Sequence, residues 1–273
     1  MFPGASADRE AADYVVVGAP LDVSTTFQPG ARFGPDRIRQ FARSYDDYDA
    51  RTDRHFSDLA VHDHGDVRAW DDADEYLEYL EGVVTDVRWD DALPLVVGGE
   101  HTVTLAGVRA ADPDVFVCLD AHLDLRENYD GNPLSHATVT RHALETADEA
   151  VILGARTGSE AEYERAAESD VTVVPPEDVP DWTPAFGADE SVYLSVDVDA
   201  ADPGFAPGTG TMEPFGLRPR EMRDAVRDVA DATDVVGFDV VEVNDRDDGQ
   251  SAALAGKLLR EFVFAHAGTV EGE

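Results

Sequence analysis

Two histidines and four aspartates fall in three short segments whose spacing suits the binding of metal ions. Segment 98–101 (Gly-Gly-Glu-His) ends in an imidazole, segment 120–124 (Asp-Ala-His-Leu-Asp) has a metal-binding side chain at every other position, and segment 195–199 (Ser-Val-Asp-Val-Asp) adds two carboxylates. Imidazole and carboxylate ligands without thiolates are compatible with Mn, Fe, Co or Zn and argue against a structural zinc site. The pattern therefore predicts a site for a pair of divalent ions, with the candidate ligands His101, Asp120, His122, Asp124, Asp197 and Asp199.

The spacing also predicts how these side chains converge. Because side chains alternate faces along an extended strand, Asp120, His122 and Asp124 should project to one side. Asp197 and Asp199 should do the same. A single aspartate after a strand is more commonly a turn or helix-cap residue, and that interpretation would suffice for Asp120 or Asp197 alone. Four carboxylates in one place, however, repel one another strongly unless a cation neutralises them.

Apolar runs alternate with amphipathic helical stretches along the whole chain. The expected strands cover residues 14–18, 59–62, 95–97, 115–119, 150–153, 171–174, 192–196 and 235–241. The expected helices cover residues 35–44, 73–89, 101–110, 135–146, 159–168, 219–232 and 250–265. The strands are rich in valine and mostly lack polar alternation, as strands covered on both faces do. This alternation predicts an α/β fold with a mostly parallel sheet and helices on both faces.

All three candidate metal segments begin where an expected strand ends. Ligands of open parallel sheets gather beyond the carboxyl ends of the strands, so the order of elements and the chemistry point to the same edge. No linker or repeat divides the chain, and we expect a single domain over residues 1–273. A further polar cluster at residues 62–64 (His-Asp-His) has no second cluster to pair with, and we interpret it as a solvated loop.

The charge of the chain is unusual. The formal net charge is -37, from 58 acidic and 21 basic residues, and Lys257 is the single lysine. Such a surface repels nucleic acid and anionic lipid, which we therefore exclude as partners. A hydrophobic content of 43% argues against disorder. We interpret the acidity as an adaptation to high salt, where counter-ions screen the repulsion.

Other features predict a soluble, cytoplasmic protein. The single cysteine, Cys118, cannot form an intrachain disulfide and fits a reducing compartment. The residues after Met1 include no basic region followed by an apolar signal core. No apolar stretch approaches the length of a membrane span.

Six segments together resemble the ureohydrolases, the arginase and agmatinase family, over nearly the whole chain. They are 29–35 (Pro-Gly-Ala-Arg-Phe-Gly-Pro), 98–101, 120–124, 195–199, 202–211 (Asp-Pro-Gly-Phe-Ala-Pro-Gly-Thr-Gly-Thr) and 241–244 (Val-Glu-Val-Asn). The resemblance implies a three-layer α/β/α sandwich with an eight-stranded mostly parallel sheet, as in arginases and deacetylases. It also implies two Mn²⁺ ions bound by the six candidate ligands, hydrolysis of a guanidino group with release of urea, and a homo-oligomer, usually a trimer or hexamer.

Within this family the chain is most similar to agmatinases. Arg126 stands where arginases carry an asparagine that helps to bind the α-carboxylate of the substrate, and the segment 205–211 also has the agmatinase form. Some residues depart from the common pattern. They are Glu100, Asp245, Met212 and Phe215. These departures replace no candidate ligand. Met212 and Phe215, however, belong to the loop after Thr211, which lies near the pocket in the family, so they weaken the assignment of the substrate.

The resemblance also implies roles in the reaction. A hydroxide bridging two Mn²⁺ ions would attack the guanidino carbon, and Asp124 would carry its proton to the leaving nitrogen. Glu242 would orient the cationic substrate through a paired hydrogen bond. His136 would exchange protons with bulk water and contact the substrate, and Arg126 is a third candidate for substrate binding.

Several functions remain open at this point. The leading prediction is hydrolysis of agmatine to putrescine and urea, in polyamine synthesis. A guanidino acid such as guanidinobutyrate is an alternative, because Arg126 or Arg156 could bind its carboxylate. Arginine and formimidoylglutamate are further alternatives. Outside this reaction class, the chain could be a non-catalytic polyamine- or metal-binding homologue, or a one-zinc deacetylase of related architecture.

Overall fold

Eight parallel strands form the central sheet of the computed structural model, which describes residues 1–68, 70–187 and 189–270. In chain order, the strands of the structure are β1 (Tyr14–Ala19), β2 (Tyr48–Asp49), β3 (Arg54–His55), β4 (Val61–Asp66), β5 (Leu93–Gly98), β6 (Val115–Leu119), β7 (Glu149–Leu153), β8 (Val171–Val174), β9 (Ser191–Asp197) and β10 (Asp234–Val241). The short strands β2 and β3 form a separate antiparallel pair. The order in the large sheet is β4-β1-β5-β10-β9-β6-β7-β8, with every neighbouring pair parallel.

Helices cover both faces of this sheet. They are α1 (Gly34–Ala42), α2 (Ala73–Trp89), α3 (Thr104–Ala111), α4 (Val139–Ala143), α5 (Glu160–Ala166), α6 (Pro219–Ala232) and α7 (Gln250–Val270). Successive strand residues alternate between two apolar cores, because Val16 packs with α1, α6 and α7, whereas Val15 and Val17 pack with α2, α3 and α4. The expected three-layer α/β/α fold with an eight-stranded sheet is confirmed, and the sheet is parallel throughout.

The strand order places the candidate site at the middle of one edge. β5, β10, β9 and β6 are consecutive neighbours. Since the strands are parallel, their carboxyl ends meet at the same edge of the sheet. The segments that follow these four strands carry the candidate ligands and Glu242, so the topology brings together residues that are far apart in the sequence.

The interpretation of residues 62–64 as a solvated loop is wrong. Strand β4 runs from Val61 to Asp66, later than expected, and includes this cluster. Asp63 is buried and accepts hydrogen bonds from Nε and Nη2 of Arg39, both at 2.9 Å. An arginine on α1 thus satisfies a carboxylate on the sheet, which a local pattern of polar residues does not show.

Two of the expected helices start as tighter turns. The stretch 101–110 begins with a 3₁₀ turn (His101–Val103) and the stretch 135–146 begins with another (His136–Thr138), each followed by a short α-helix. Among the described residues, no helix combines the length and apolar character needed to cross a bilayer. Positions 69, 188 and 271–273 of the expected domain lie outside the described residues.

Candidate metal centre

The six candidate ligands meet at the carboxyl edge of the sheet. His101 follows β5, the segment 120–124 follows β6, and Asp197 ends β9, with Asp199 two residues later. All four aspartates and His101 are buried, and the side chain of His122 is 26% exposed. Two overlapping groups have ligand atoms close enough to bind one ion each, His101 with Cys118 and Asp120, and Asp120 with His122 and Asp199.

The imidazole of His101 faces three carboxylates. Its Nδ1 lies 3.0 Å from Oδ2 of Asp124, 3.2 Å from Oδ2 of Asp120 and 3.7 Å from Oδ2 of Asp197. The 3₁₀ turn after the two glycines brings the ring to this position. Gly99 is required there, since a Cβ would lie 1.9 Å from the carbonyl oxygen of Leu21.

His122 lies on the other side of Asp120. Its Nδ1 is 3.0 Å from Oδ2 of Asp199 and 3.5 Å from Oδ1 of Asp120. Asp199 is also bound by the hydroxyl of Thr211 at 3.2 Å and by the backbone N–H of Ala121 at 3.1 Å. Asp120 therefore lies between the two imidazoles, as a carboxylate that bridges two ions would.

The segment 120–124 and the residues after Asp197 do not continue as extended strands, so the geometry expected from alternation is wrong although the convergence is right. Asp120 accepts the backbone N–H of His122 at 2.7 Å, and Asp197 accepts that of Asp199 at 2.7 Å, through their Oδ1 atoms. The second bond opens a 3₁₀ turn (Val198–Ala200). Each aspartate thus forms a turn with one oxygen, and its Oδ2 faces His101. Asp120 and Asp197 can therefore each be a turn residue and a metal ligand at the same time.

Asp124 and Glu242 adopt backbone conformations that are unfavourable for residues with a side chain. Their φ angles are +51° and +62°, in the left-handed region. The carbonyl of Asp124 accepts the N–H of Arg141 at 3.1 Å, and the N–H of Glu242 donates to the carbonyl of Gly99 at 2.8 Å. Such conformations cluster at functional sites, where neighbouring contacts maintain them.

The carboxylates strongly perturb one another's protonation. Burial, together with the charge of Asp120, raises the pKa of Asp124 to about 6. Burial also raises the pKa of Asp197 well above its usual range, and Asp199 and Asp120 add to this effect. Burial alone would lower the pKa of His122, but Asp199 and Asp120 outweigh it and raise that pKa to about 12. The cluster has more negative charge than its imidazoles can balance, and this donor set fits divalent cations.

A buried polar chain orients the ring of His101. The hydroxyl of Ser195 donates to Oδ1 of Asp239 at 2.7 Å, and its oxygen lies 3.2 Å from Nε2 of His101. Because the serine proton is used on Asp239, Ser195 accepts the Nε2–H of the imidazole. The Nδ1 lone pair then faces the carboxylate cluster, as a metal ligand requires.

Glu242 and His136 lie beside the metal cluster. Oε1 of Glu242 accepts the backbone N–H of His101 at 2.9 Å and is 3.3 Å from Nδ1 of His136. Oε2 of Glu242 is buried and has no hydrogen-bond partner among the described residues. Gly210 leaves open space next to Oε2, because a Cβ at that position would lie 3.5 Å from this oxygen. The unpartnered acceptor fits a cationic donor group.

Two contacts act in opposite directions on the protonation of His136. Burial lowers its pKa, but Glu242 outweighs burial and raises the pKa to about 9. Against this, the backbone N–H of Thr26 donates to Nε2 at 3.2 Å, which favours the neutral ring with its proton on Nδ1. The ring is therefore held between a proton acceptor and a proton donor.

Arg126 lies at the outer part of the same cleft and not among the ligands. Its Nη2 is 3.2 Å from Oε2 of the buried Glu162, and its guanidinium lies over the ring of Tyr129 at 5.5 Å. The cleft has a volume of about 480 Å³ and includes five other candidate residues in its lining. These are His122, Asp124, His136, Asp197 and Asp199.

Sequence reasoning missed several residues that support the site. Ser195 and Asp239 lie within valine-rich strands, and a buried carboxylate in such a strand is the signal that could have found them. Glu100 was noted as a departure from the family pattern. It is buried and accepts the N–H of Ser24 at 2.7 Å and its hydroxyl at 2.8 Å. The same hydroxyl oxygen accepts the N–H of His136 at 3.0 Å, so Glu100 supports that residue indirectly.

Known proteins share both the sequence and the fold. An agmatinase of Pyrococcus horikoshii is 36% identical, with 92% of this chain and 91% of that protein covered. An N(1)-aminopropylagmatine ureohydrolase of Thermococcus kodakarensis is also 36% identical, with 95% of this chain and 93% of that protein covered. The crystal structure of an agmatine ureohydrolase of Thermoplasma volcanium superposes with a TM-score of 0.90 at 33% identity, over 100% of this chain and 96% of that chain.

The match extends to the family as a whole. A family model described as the arginase family matches residues 12–265. These residues include β1, which starts at Tyr14, and most of α7. The chain therefore belongs to the arginase family of ureohydrolases.

Proposed function

We propose that this protein hydrolyses agmatine to putrescine and urea with two Mn²⁺ ions. The observation that carries the proposal is the buried, unpartnered Oε2 of Glu242 next to a cluster of four aspartates and two histidines. A guanidinium is a planar cation that pairs well with a carboxylate. Its hydrolysis requires an activated water, which an adjacent metal site can provide.

The proposed ligands of the two ions are the six residues that converge at the sheet edge. His101 with Asp124, and His122 with Asp199, would contribute to one ion each. Asp120 lies between the two imidazoles, and Asp197 lies 3.7 Å from His101. When bound, such ions lower the pKa of water and supply a nucleophile near neutral pH. Oxygen and imidazole ligands suit Mn²⁺.

The remaining steps belong to side chains of the chain itself. Glu242 holds the guanidinium through Oε2, while Oε1 stays bonded to the backbone of His101. The carboxyl of Asp124, which lines the cleft, receives a proton and passes it to the leaving nitrogen. His136, which lines the cleft, exchanges protons with the solvent.

The arginines near the cleft favour a substrate without a carboxylate. All five N–H groups of Arg156 donate to backbone carbonyls, those of Gly154, Asp199, Ala200, Ala201, Glu213 and Pro214. The charge of Arg126 is balanced by Glu162. Neither is an unengaged cation for the carboxylate of a guanidino acid, arginine or formimidoylglutamate. This argues for the agmatine assignment over those alternatives.

Three other functions can be distinguished from agmatine hydrolysis. N1-aminopropylagmatine is the second candidate substrate, because a relative with 36% identity carries that name. A non-catalytic binding homologue is disfavoured, because the candidate ligands, Glu242 and His136 all lie together at the carboxyl edge of the sheet. A one-zinc deacetylase is disfavoured by the number of carboxylates.

A panel of substrates tests the assignment. The Mn²⁺-loaded protein is assayed for release of urea from agmatine, N1-aminopropylagmatine, arginine and guanidinobutyrate, and for release of formamide from formimidoylglutamate. We expect kcat/KM for agmatine to exceed the values for the carboxylate-bearing compounds by at least about tenfold, equivalent to ~1.4 kcal/mol. The His122→Ala variant is the control and should lose both metal and activity. A preference for a carboxylate-bearing compound would contradict the assignment, and no turnover would support the binding homologue.

We also propose that the chain is one domain that assembles into a homo-oligomer, a trimer or hexamer. Exposed aromatic side chains on and beside α2, Trp70, Tyr79 and Trp89, support an interface between copies. Light scattering measures the assembly directly, since a monomer has a mass of 29.5 kDa. A monomeric mass would contradict this part of the proposal.

A further inference from the structure

The cleft changes character from its buried end to its solvent end. The buried end is formed by the candidate ligands and His136, with Asp199 only 1% exposed and His136 7% exposed. The solvent end is formed by Phe27, which is 72% exposed, and Met212, which is 40% exposed. A guanidino substrate that reaches the candidate ligands extends its opposite end into this outer part of the cleft, whose lining includes Met212 and Glu213.

Glu213 lies in this outer segment with an unengaged carboxylate. It is half-buried and lines the same cleft as Asp124 and Asp199. Its side chain forms no hydrogen bond and no ion pair within the part of the chain that the structure describes. A carboxylate in this position can bind a cation without first giving up a partner, so the cost of desolvation is smaller than for a buried ion pair.

The position of Glu213 relative to the metal ligands is set by Arg156. The guanidinium donates to the backbone carbonyl of Glu213 at 2.7 Å and to that of Asp199 at 2.9 Å through the same nitrogen. A third bond runs to the carbonyl of Pro214 at 3.1 Å. Because these bonds use up the donors of Arg156, it holds the outer loop without forming a hydrogen bond to the Glu213 carboxylate.

The positive charge of Arg156 lies near Glu213 without forming an ion pair with its carboxylate, and the other arginine of the outer cleft is engaged elsewhere. Arg126 is paired with Glu162, which also accepts the N–H and hydroxyl of Ser159 at 2.7 and 2.8 Å. We propose that Glu213 binds the distal ammonium of the substrate and so selects guanidines with a cationic tail over those with a neutral or anionic tail. This inference rests on the proposed function, because it places the guanidino end of the same molecule at Glu242.

A comparison of two substrates isolates this contact. Agmatine and butylguanidine share the guanidino group and a four-carbon chain, but butylguanidine lacks the terminal ammonium. The measured quantity is KM for butylguanidine divided by KM for agmatine, at fixed ionic strength with Mn²⁺. We expect Glu213→Gln to lower this ratio at least about tenfold, consistent with the strength of a charge-assisted hydrogen bond. Glu213→Asp, which keeps the charge, should retain most of the preference.

The control variant is Glu177→Gln, which removes an exposed carboxylate away from the cleft and should keep the wild-type ratio. If Glu213→Gln leaves the ratio unchanged, the inference is wrong. An equal rise of KM for both substrates would show that the role of Glu213 is structural. If the wild-type protein cleaves neither compound, the proposed function fails. In that case, calorimetry measures the binding of agmatine and butylguanidine to wild type and to Glu213→Gln. The ratio of the two dissociation constants then tests the role of Glu213 independently of catalysis.

Discussion

Glu242 combines a left-handed backbone, a buried carboxylate and one unpartnered oxygen. Its other oxygen is bonded to the backbone N–H of His101. The substitution Glu242→Gln keeps an oxygen for that backbone bond and removes the charge. It is therefore a test of the guanidinium contact that leaves the metal cluster in place.

We expect Glu242→Gln to lower kcat/KM for agmatine at least about thirtyfold, since removing one partner of a buried charge pair costs roughly 2–5 kcal/mol. Mn²⁺ binding, measured by calorimetry, should remain close to wild type. Activity near the wild-type level would show that Glu242 does not bind the guanidinium. Loss of Mn²⁺ would show instead that it supports the ligands.

Ser195 supports the metal site through the ring of His101. We expect Ser195→Ala to weaken Mn²⁺ binding by about 10- to 100-fold, because the imidazole loses the acceptor that fixes its tautomer and orientation. The matched control is Ser191→Ala at the other end of β9, where the hydroxyl donates to Asp114 at 2.7 Å. Equal Mn²⁺ affinity of wild type and Ser195→Ala, measured by paramagnetic resonance, would contradict the role of this hydroxyl.

The convergence of the candidate ligands could be predicted from the sequence, but their local geometry could not. The alternation in segment 120–124 correctly indicated that Asp120, His122 and Asp124 converge. The turn bonds made by Asp120 and Asp197 decide how they converge, and nothing in the spacing separates those turns from an extended strand. The partner of Arg126 also depends on tertiary contact, since Glu162 is 36 residues further along the chain.

At the scale of elements, the valine-rich runs located seven of the eight strands of the large sheet, because strands buried on both faces need continuous apolar sequence. Strand β4 was misplaced since it lies at the sheet edge and carries the polar residues His62 and Asp63. The hairpin of β2 and β3 was missed because each strand has two residues, too few for a pattern. The order of strands needed the three-dimensional structure.

The ion pair between Arg39 on α1 and Asp63 on β4 predicts how the free energy of unfolding depends on pH. Burial raises the pKa of Asp63, but the hydrogen bonds and charge of Arg39 outweigh it and lower that pKa below its ordinary value. A carboxyl whose pKa is lower in the folded state than in the unfolded state stabilises the protein at every pH above its unfolded-state pKa of about 3.9. This stabilisation is lost as the pH falls through the pKa of the folded state.

We therefore expect Asp63→Asn to be less stable than wild type by about 1.5–3 kcal/mol at pH 7, because the buried Arg39 loses its charge-assisted hydrogen bonds to Asp63 and keeps only Asp66 as a charge partner. The difference should shrink as the pH falls below about 4, where wild type loses the same interaction. Denaturant unfolding at several pH values measures it, with the exposed Asp71→Asn as control. A difference that stays constant from pH 7 to pH 3 would contradict the assignment.

At the scale of the whole molecule, the net charge of -37 is the dominant feature. The ammonium group of the single lysine, Lys257, forms a cation–π contact with Tyr45, with Nζ 4.3 Å from the ring centroid. Excess negative charge destabilises a compact state through self-repulsion, and salt screens it within a Debye length of about 10 Å at 0.1 M.

We expect the melting temperature to rise by about 5 °C or more between low salt and molar KCl, which corresponds to roughly 1–2 kcal/mol for a chain of this size. A non-ionic osmolyte at equal osmolality is the control, because it does not screen charge. A protein that is equally stable without added salt would refute the adaptation to high salt.

The central claim is that six side chains from distant parts of the chain bind a pair of cations. A crystal loaded with Mn²⁺, with diffraction data collected at the manganese absorption edge, tests it most directly. We predict two anomalous peaks within the cluster, one beside His101 and one beside His122, with Asp120 between them. No peak at these residues, or manganese bound only elsewhere, would contradict the account.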